Sequence, residues 1–213
     1  HVPASQLIVD EASASGSELI VIGTHGRHGI DRFVIRSQAE QILRRAPVPV
    51  LLVRAAEDEN ATSAPSSGGP LFRRILVAID GSEPSTRGLD AALALARHTG
   101  ATVRLVHVVE SPVYRAAFEA EPLAADIEAR LHAAGRSVLE AARARAEEAG
   151  VAAEPTLLEC TGGRTAEAVV ELASTWPADL LVLGTHGRRG LRRLVLGSDA
   201  EQMLRLATMP VLL

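Results

Sequence analysis

The chain contains one cysteine, Cys160, so no disulfide can form within it, as expected in a reducing cytosol. Aromatic residues make up only 2% of its 213 residues, which removes the stacking partners that a single-stranded nucleic-acid groove relies on. The net charge of −4 is small and gives no support for a nucleic-acid groove or a basic membrane-binding surface. No apolar run approaches the roughly 20 residues needed to span a bilayer, and no signal-peptide pattern is visible. The expectation is a cytoplasmic protein with neither membrane nor nucleic acid as a partner. The chain begins at His1 without an initiator Met, as expected of an excerpt or a processed product whose original N-terminus is missing.

Hydrophobic residues are abundant, at 47%. With so few aromatics, the core has to be built from Val, Leu, Ile and Ala. That composition favours α/β layers around aliphatic parallel strands.

One stretch organises the rest. The apolar run Leu180–Leu183 is followed by Gly184-Thr185-His186-Gly187, then by Gly197-Ser198 and a helical pattern beginning at Asp199. Strand, glycine-bearing loop and helix form the layout of a phosphate-cradling turn. Glycine lets backbone N–H groups approach an anion, and the helix adds a positive dipole end. The spacing is neither the Walker A pattern nor the dinucleotide fingerprint. The same stretch occurs a second time as Leu19–Ser37. Without gaps, residues 1–52 lie over 162–213 and close to half of the positions are identical, an internal duplication. The third motif glycine is Gly197 in the second copy and Arg36 in the first.

Residues 1–54 read as a helix to about Ser15 with Pro3 in its first turn, strand Leu19–Ile22, loop, helix Ser37–Arg45 and a strand running Pro47–Val53. Two strands cannot bury an aliphatic face alone, so this segment reads as the C-terminal half of a domain. Residues 55–70 lose all periodicity and have linker composition. Residues 71–213 carry a full alternation. Strand Arg74–Ile79 ends in Asp80-Gly81-Ser82, with Ser82 as N-cap of a helix closed by Gly100. Strand Thr102–Val109 and a connection over Glu110–Glu121 lead to a long helix ended by Gly150. In that helix Ile127, Leu131, Val138 and Ala142 form the apolar face, and Glu128, Arg130, Arg143 and Glu147 the wet one. A weaker strand Thr156–Glu159, helix Thr165–Ser174, strand Leu180–Leu183, helix Ser198–Leu206 and strand Pro210–Leu213 complete it. The expected fold is α/β, a doubly wound five-stranded parallel sheet with right-handed crossovers and a half-domain copy at the N-terminus. Ligands sit beyond the carboxyl strand ends of such sheets, where Asp80, Val108 and Gly184 lie. Val48–Val53 and Pro210–Leu213 read as open aliphatic edges that invite pairing, so the last strands of the two copies are expected to lie close together.

Each signal has a plainer alternative. The glycines can merely shape a turn, and Asp80 can merely cap a helix through its dipole. His25 and His28 have metal-ligand spacing, but the second copy has Arg189 in place of His28 and nothing completes a site, so no metal centre is expected there and the His25/His186 position organises the loop. Arg188, Arg189, Arg192 and Arg193 either steer phosphate or form a solvated basic loop. Arg36 crowds a phosphate, so the first copy is not expected to bind nucleotide in the usual manner; the alternative is that its charge contributes. Cys160 is expected to pack as a small hydrophobe.

The pattern resembles the universal stress protein family. The carriers are Ile75–Ser82, Leu105–Val108, Gly184-Thr-His-Gly187 with Gly197-Ser198, and Met209-Pro-Val-Leu-Leu213. The resemblance covers one complete domain, 71–213, and the C-terminal half of another. It implies a Rossmann-like fold pairing across last strands, and ATP, with Mg²⁺, held by the second domain. Asp80 and Val108 would meet adenine and ribose; Gly184, Gly187, Gly197 and Ser198 would hold ribose and phosphates; Ala78 and Leu183 are also expected among the nucleotide-binding residues. Asp199 departs from the apolar or small residue usual there, and a carboxylate at that point either weakens phosphate binding or helps hold a divalent ion. The function implied is a cytosolic ATP-binding stress-response regulator. No catalytic base is evident, so at most slow ATP hydrolysis is expected. The alternatives are a nucleotide-independent interaction or dimerisation scaffold of the same fold, and a nucleotidyl transferase, which needs the histidine pair that the second copy lacks.

Overall fold

Short-range chemistry sets the helix limits. In the computed structural model, which describes residues 2–23, 37–53, 71–111, 121–185 and 196–213, helix α3 (Glu83–Thr99) starts where the Ser82 hydroxyl accepts a hydrogen bond from Ser85 N at 3.3 Å. It stops at Gly100, whose φ of 71° lies in the left-handed region that glycine enters without strain. The other helices are α1 (Ala4–Ala14), α2 (Ser37–Arg45), α4 (Glu121–Glu148), α5 (Thr165–Thr175) and α6 (Ser198–Leu206). Pro3 is the N-cap of α1 rather than part of its first turn, with extended backbone angles. The segments 24–36, 54–70, 112–120 and 186–195 lie outside the described residues, and with them the linker, the connection into α4 and most of both glycine loops.

Among the described residues, seven strands form one sheet in the order β1-β2-β7-β6-β3-β4-β5. They are β1 (Ile20–Gly23), β2 (Val50–Val53), β3 (Arg74–Ala78), β4 (Thr102–Glu110), β5 (Ala153–Cys160), β6 (Leu180–Val182) and β7 (Val211–Leu212). The last five strands in the order make the expected doubly wound parallel unit, with β3 central. The N-terminal segment adds β1 and β2, parallel to each other. The two copies join where β2 meets β7 antiparallel, Leu51 opposite Leu212 and Leu52 opposite Val211. This is the expected meeting of the last strands: Val48–Val53 and Pro210–Leu213, aliphatic edges within their own copies, pair with each other. Each edge is covered by the other, and β1 and β5 are the outer strands instead.

Aliphatic layers cover both faces. Leu89, Ala92, Leu93 and Ala96 of α3 pack with Leu139, Ala142 and Ala146 of α4 on Ile75, Val77, Val103 and Leu105. Val9 of α1, Ile42 of α2, Val169 of α5 and Met203 of α6 share the opposite layer with Leu76, Val106 and Leu181. Both faces of the central strands are therefore dry, as parallel strands require.

Two further expectations need correction. Strand β5 runs Ala153–Cys160, twice the expected length, because an outer strand tolerates Pro155 and exposed Glu154 and Glu159. On α4, Ile127 and Leu131 are exposed, while the inward stripe passes through Gly135, Leu139, Ala142 and Ala146. Glu128, assigned to the wet face, is half-buried on that stripe. Cys160 is buried, as a small hydrophobe would be.

Candidate functional site

The parallel registers decide what stands at the carboxyl rim of the sheet. Ala78 pairs with Val106, and Asp80 and Val108 each follow two residues later, so the two stand side by side on adjacent strands. On the other flank Val77 pairs with Val182, which brings Gly184 level with Ile79. Strand β3 is the point where the winding reverses, with α3 leading to one side and β6 lying on the other. That is where a doubly wound sheet opens a crevice.

Asp80 is held by the turn it starts. Its Oδ1 accepts from Ser82 N at 2.9 Å and from Ser82 Oγ at 2.6 Å, and Asp80 N donates to Ser85 Oγ at 3.4 Å. The carboxylate thus sits at the N-terminal end of α3, where the helix dipole favours negative charge. Capping and ligand contact are compatible roles for it. Ala78 and Val108 are half-buried and pack against the layer of α5 and α6. Leu183 is buried, and its N–H donates to Leu212 O at 2.9 Å, so its side chain belongs to the core beneath the rim.

Gly184 has a steric reason to be glycine. A Cβ there would stand 2.7 Å from Ser85 N and 3.0 Å from both Pro84 C and Ser85 Cα. The end of β6 therefore lies directly on the first turn of α3. Gly88 makes the matching approach, 3.3 Å from a would-be Cβ to Leu183 O.

The glycine loop leaves and returns at one place. Gly197 N donates to Thr185 O at 3.0 Å, which brings Gly197 and Ser198 back to the end of β6. Gly197 is the N-cap of α6, with φ −61° and ψ 145°, and offers no side-chain cap. The first turn of α6 therefore points uncapped amides toward the crevice, a geometry suited to an anion. Asp199 and Glu201 in the same turn already compensate the helix dipole and oppose a second negative charge. Ser198 is exposed, with its Oγ 3.4 Å from Asp199 Oδ1.

The rim thus brings together Ala78, Asp80, Val108, Gly184, Gly197 and Ser198, with Leu183 beneath them. Gly187, His186 and Arg188, Arg189, Arg192 and Arg193 lie outside the described residues, as do His25, His28 and Arg36 of the first copy. Two contributors escaped the sequence reading. Thr185 closes the loop through its carbonyl. His107 is buried, and its Nδ1 lies 2.6 Å from Ile79 O, which fixes the strand end before Asp80. A carbonyl only accepts, so Nδ1 carries the proton. A polar residue inside the aliphatic run Leu105–Val109 was the available signal.

Among the described residues no helix is long and apolar enough to cross a membrane.

The profile of the universal stress protein family matches residues 1–54 and 71–213. A Bacillus subtilis relative, universal stress protein YxiE, is 32% identical over 149 residues, covering 67% of this chain and 99% of its own length. A crystal structure of a protein from the universal stress protein family of Burkholderia pseudomallei aligns with TM-score 0.54 and 34% identity, over 68% of this chain and 96% of that one. The crystal structure of a putative universal stress protein from Pseudomonas aeruginosa aligns over all of this chain and 68% of its own, with TM-score 0.67 and 23% identity, a likeness of fold.

Proposed function

This chain belongs to the universal stress protein family, and we propose that residues 71–213 form a cytoplasmic ATP-binding regulatory domain joined through the linker 55–70 to a half-domain, 1–54. The observation that carries the reading is the convergence of the Asp80 turn, the Gly184–Thr185 strand end and the uncapped start of α6 on one crevice. The residues fit a nucleotide. Asp80 and Val108 flank the place for adenine and ribose. Gly184 keeps the end of β6 tight on α3, and the amides after Gly197, with the Ser198 hydroxyl, receive phosphate. ATP brings three linked phosphates, and a divalent cation with it offsets the charge of Asp199.

The role is regulatory, with at most slow hydrolysis of ATP. Asp80 is engaged with Ser82 and sits at the adenine end, away from the γ-phosphate, and the charge of Asp199 at the phosphate end is offset by the cation. Binding energy instead changes the surface this domain offers to a partner.

Equilibrium dialysis with ATP and Mg²⁺ tests this. One nucleotide per chain is expected; none bound at millimolar ATP would reject it. The second reading, a scaffold that ignores nucleotide, is favoured by the β2–β7 seam, which buries both last strands, and by the acids of the α6 first turn. It predicts unfolding behaviour indifferent to ATP.

A further inference from the structure

The inward stripe of α4 ends in two polar residues. In steps of four and three it runs Glu128, His132, Gly135, Leu139, Ala142, Ala146, and the last four are buried on the sheet. Glu128 and His132 occupy the positions where this spacing demands apolar side chains, and both are half-buried. They meet Glu159, near the carboxyl end of the outer strand β5.

One ligand atom from each of Glu128, His132 and Glu159 lies within 4.8 Å of the other two. His132 Nε2 stands 3.4 Å from Glu159 Oε1. That nitrogen is shut off from solvent, yet it makes no hydrogen bond. A simple ion pair would align the ring N–H with the carboxylate at about 2.7–2.9 Å. Two donors on one tetrahedral ion behave differently. With bonds of about 2.0–2.2 Å, they stand about 3.4 Å apart, and their lone pairs point at the ion rather than at each other. The spacing and the misalignment both match the second case. Residues four apart on a helix share one face, so Glu128 and His132 reach the same point without backbone change.

We propose that Glu128, His132 and Glu159 form a binding site for a divalent transition metal of the zinc class. Imidazole with two carboxylates suits zinc, whereas magnesium prefers oxygen donors alone. Three protein ligands leave the fourth position to water. The ion pins the outer strand to α4. It uses none of the residues assigned to nucleotide, so the site stands whether or not ATP binds.

The test is thermal unfolding of the full chain, stripped with chelator, in metal-free buffer and with Zn²⁺ or Mg²⁺. Zn²⁺ at a hundredfold excess over its dissociation constant should raise the melting temperature by roughly 5–10 °C, and Mg²⁺ should not. Calorimetry should give one Zn²⁺ per chain, weakened at least about tenfold by His132→Gln and by Glu159→Gln. Glu159 is exposed, so its variant keeps the metal-free melting temperature and separates lost binding from lost folding. No zinc-dependent shift in the unaltered chain would overturn the proposal. So would a shift that survives both substitutions, since the other histidines would then hold the metal.

Discussion

Gly184→Ala adds one methyl group where β6 meets α3. The three atoms it would meet, Ser85 N, Pro84 C and Ser85 Cα, are all backbone and stand 2.7–3.0 Å away. Carbon contacts relax at about 3.5–4.0 Å, so the first turn of α3 has to retreat by about 0.5–1 Å. The helix is not free to do so. Ser85, Leu89, Ala92, Leu93 and Ala96 are all buried on the sheet. Overpacking of this kind costs about 1–3 kcal/mol. Gly184 does not have positive φ, so alanine restricts the unfolded chain and returns about 0.4–1 kcal/mol. The net loss is about 1–2 kcal/mol, or roughly 2–8 °C in melting temperature for a chain of this size. Gly88→Ala is the control. Its nearest contact is 3.3 Å, and alanine inside a helix gains about 0.5–1 kcal/mol, so the change should be close to neutral. Urea unfolding followed by circular dichroism should show a lower midpoint for Gly184→Ala at unchanged slope, and little movement for Gly88→Ala. Equal midpoints for Gly184→Ala and the unaltered chain would refute the steric account of this glycine.

Two other substitutions act at the same rim and on the helix beside it. Gly135→Ala places a Cβ 2.8 Å from the ring of His107, which Ile79 O holds in place, and 2.8 Å from Leu157 Cδ1. Leu157 can turn away but the ring cannot, so after the helix-propensity gain the loss should be about 0.5–2 kcal/mol, read from the urea midpoint. Asp199→Ala removes a like charge from the phosphate end of the crevice, worth about 0.3–1 kcal/mol. ATP should bind roughly 2–5-fold more tightly by calorimetry, and weaker binding would mean Asp199 serves the cation instead.

Features that arise within a few residues could be read directly from the chain. Ser82 and Gly100 bound α3, Gly150 ends α4, and Ser37–Arg45 and Ser198–Leu206 are helices over the limits expected. The parallel unit followed from strand and helix alternation. What depended on distant partners was harder. The close approach of Gly184 to Ser85 joins residues far apart in sequence, so the glycine looked like a loop residue alone. On α4, Ile127 and Leu131 fit an apolar period as well as the true stripe does in composition. Only the position of β4 and β5 beneath the helix turns Glu128 and His132 inward. Duplication pointed to the meeting of last strands, but the antiparallel Leu51–Leu212 register needed the folded sheet.

The nucleotide reading rests most on the amides that follow Gly197. Its backbone, φ −61° and ψ 145°, is one that any L residue adopts, so Gly197→Arg copies Arg36 of the first repeat without backbone strain. Calorimetric titration of ATP with Mg²⁺ into both proteins should give one site in the unaltered chain and none in Gly197→Arg. Binding in neither protein, or equal binding in both, would contradict a phosphate cradle at this loop.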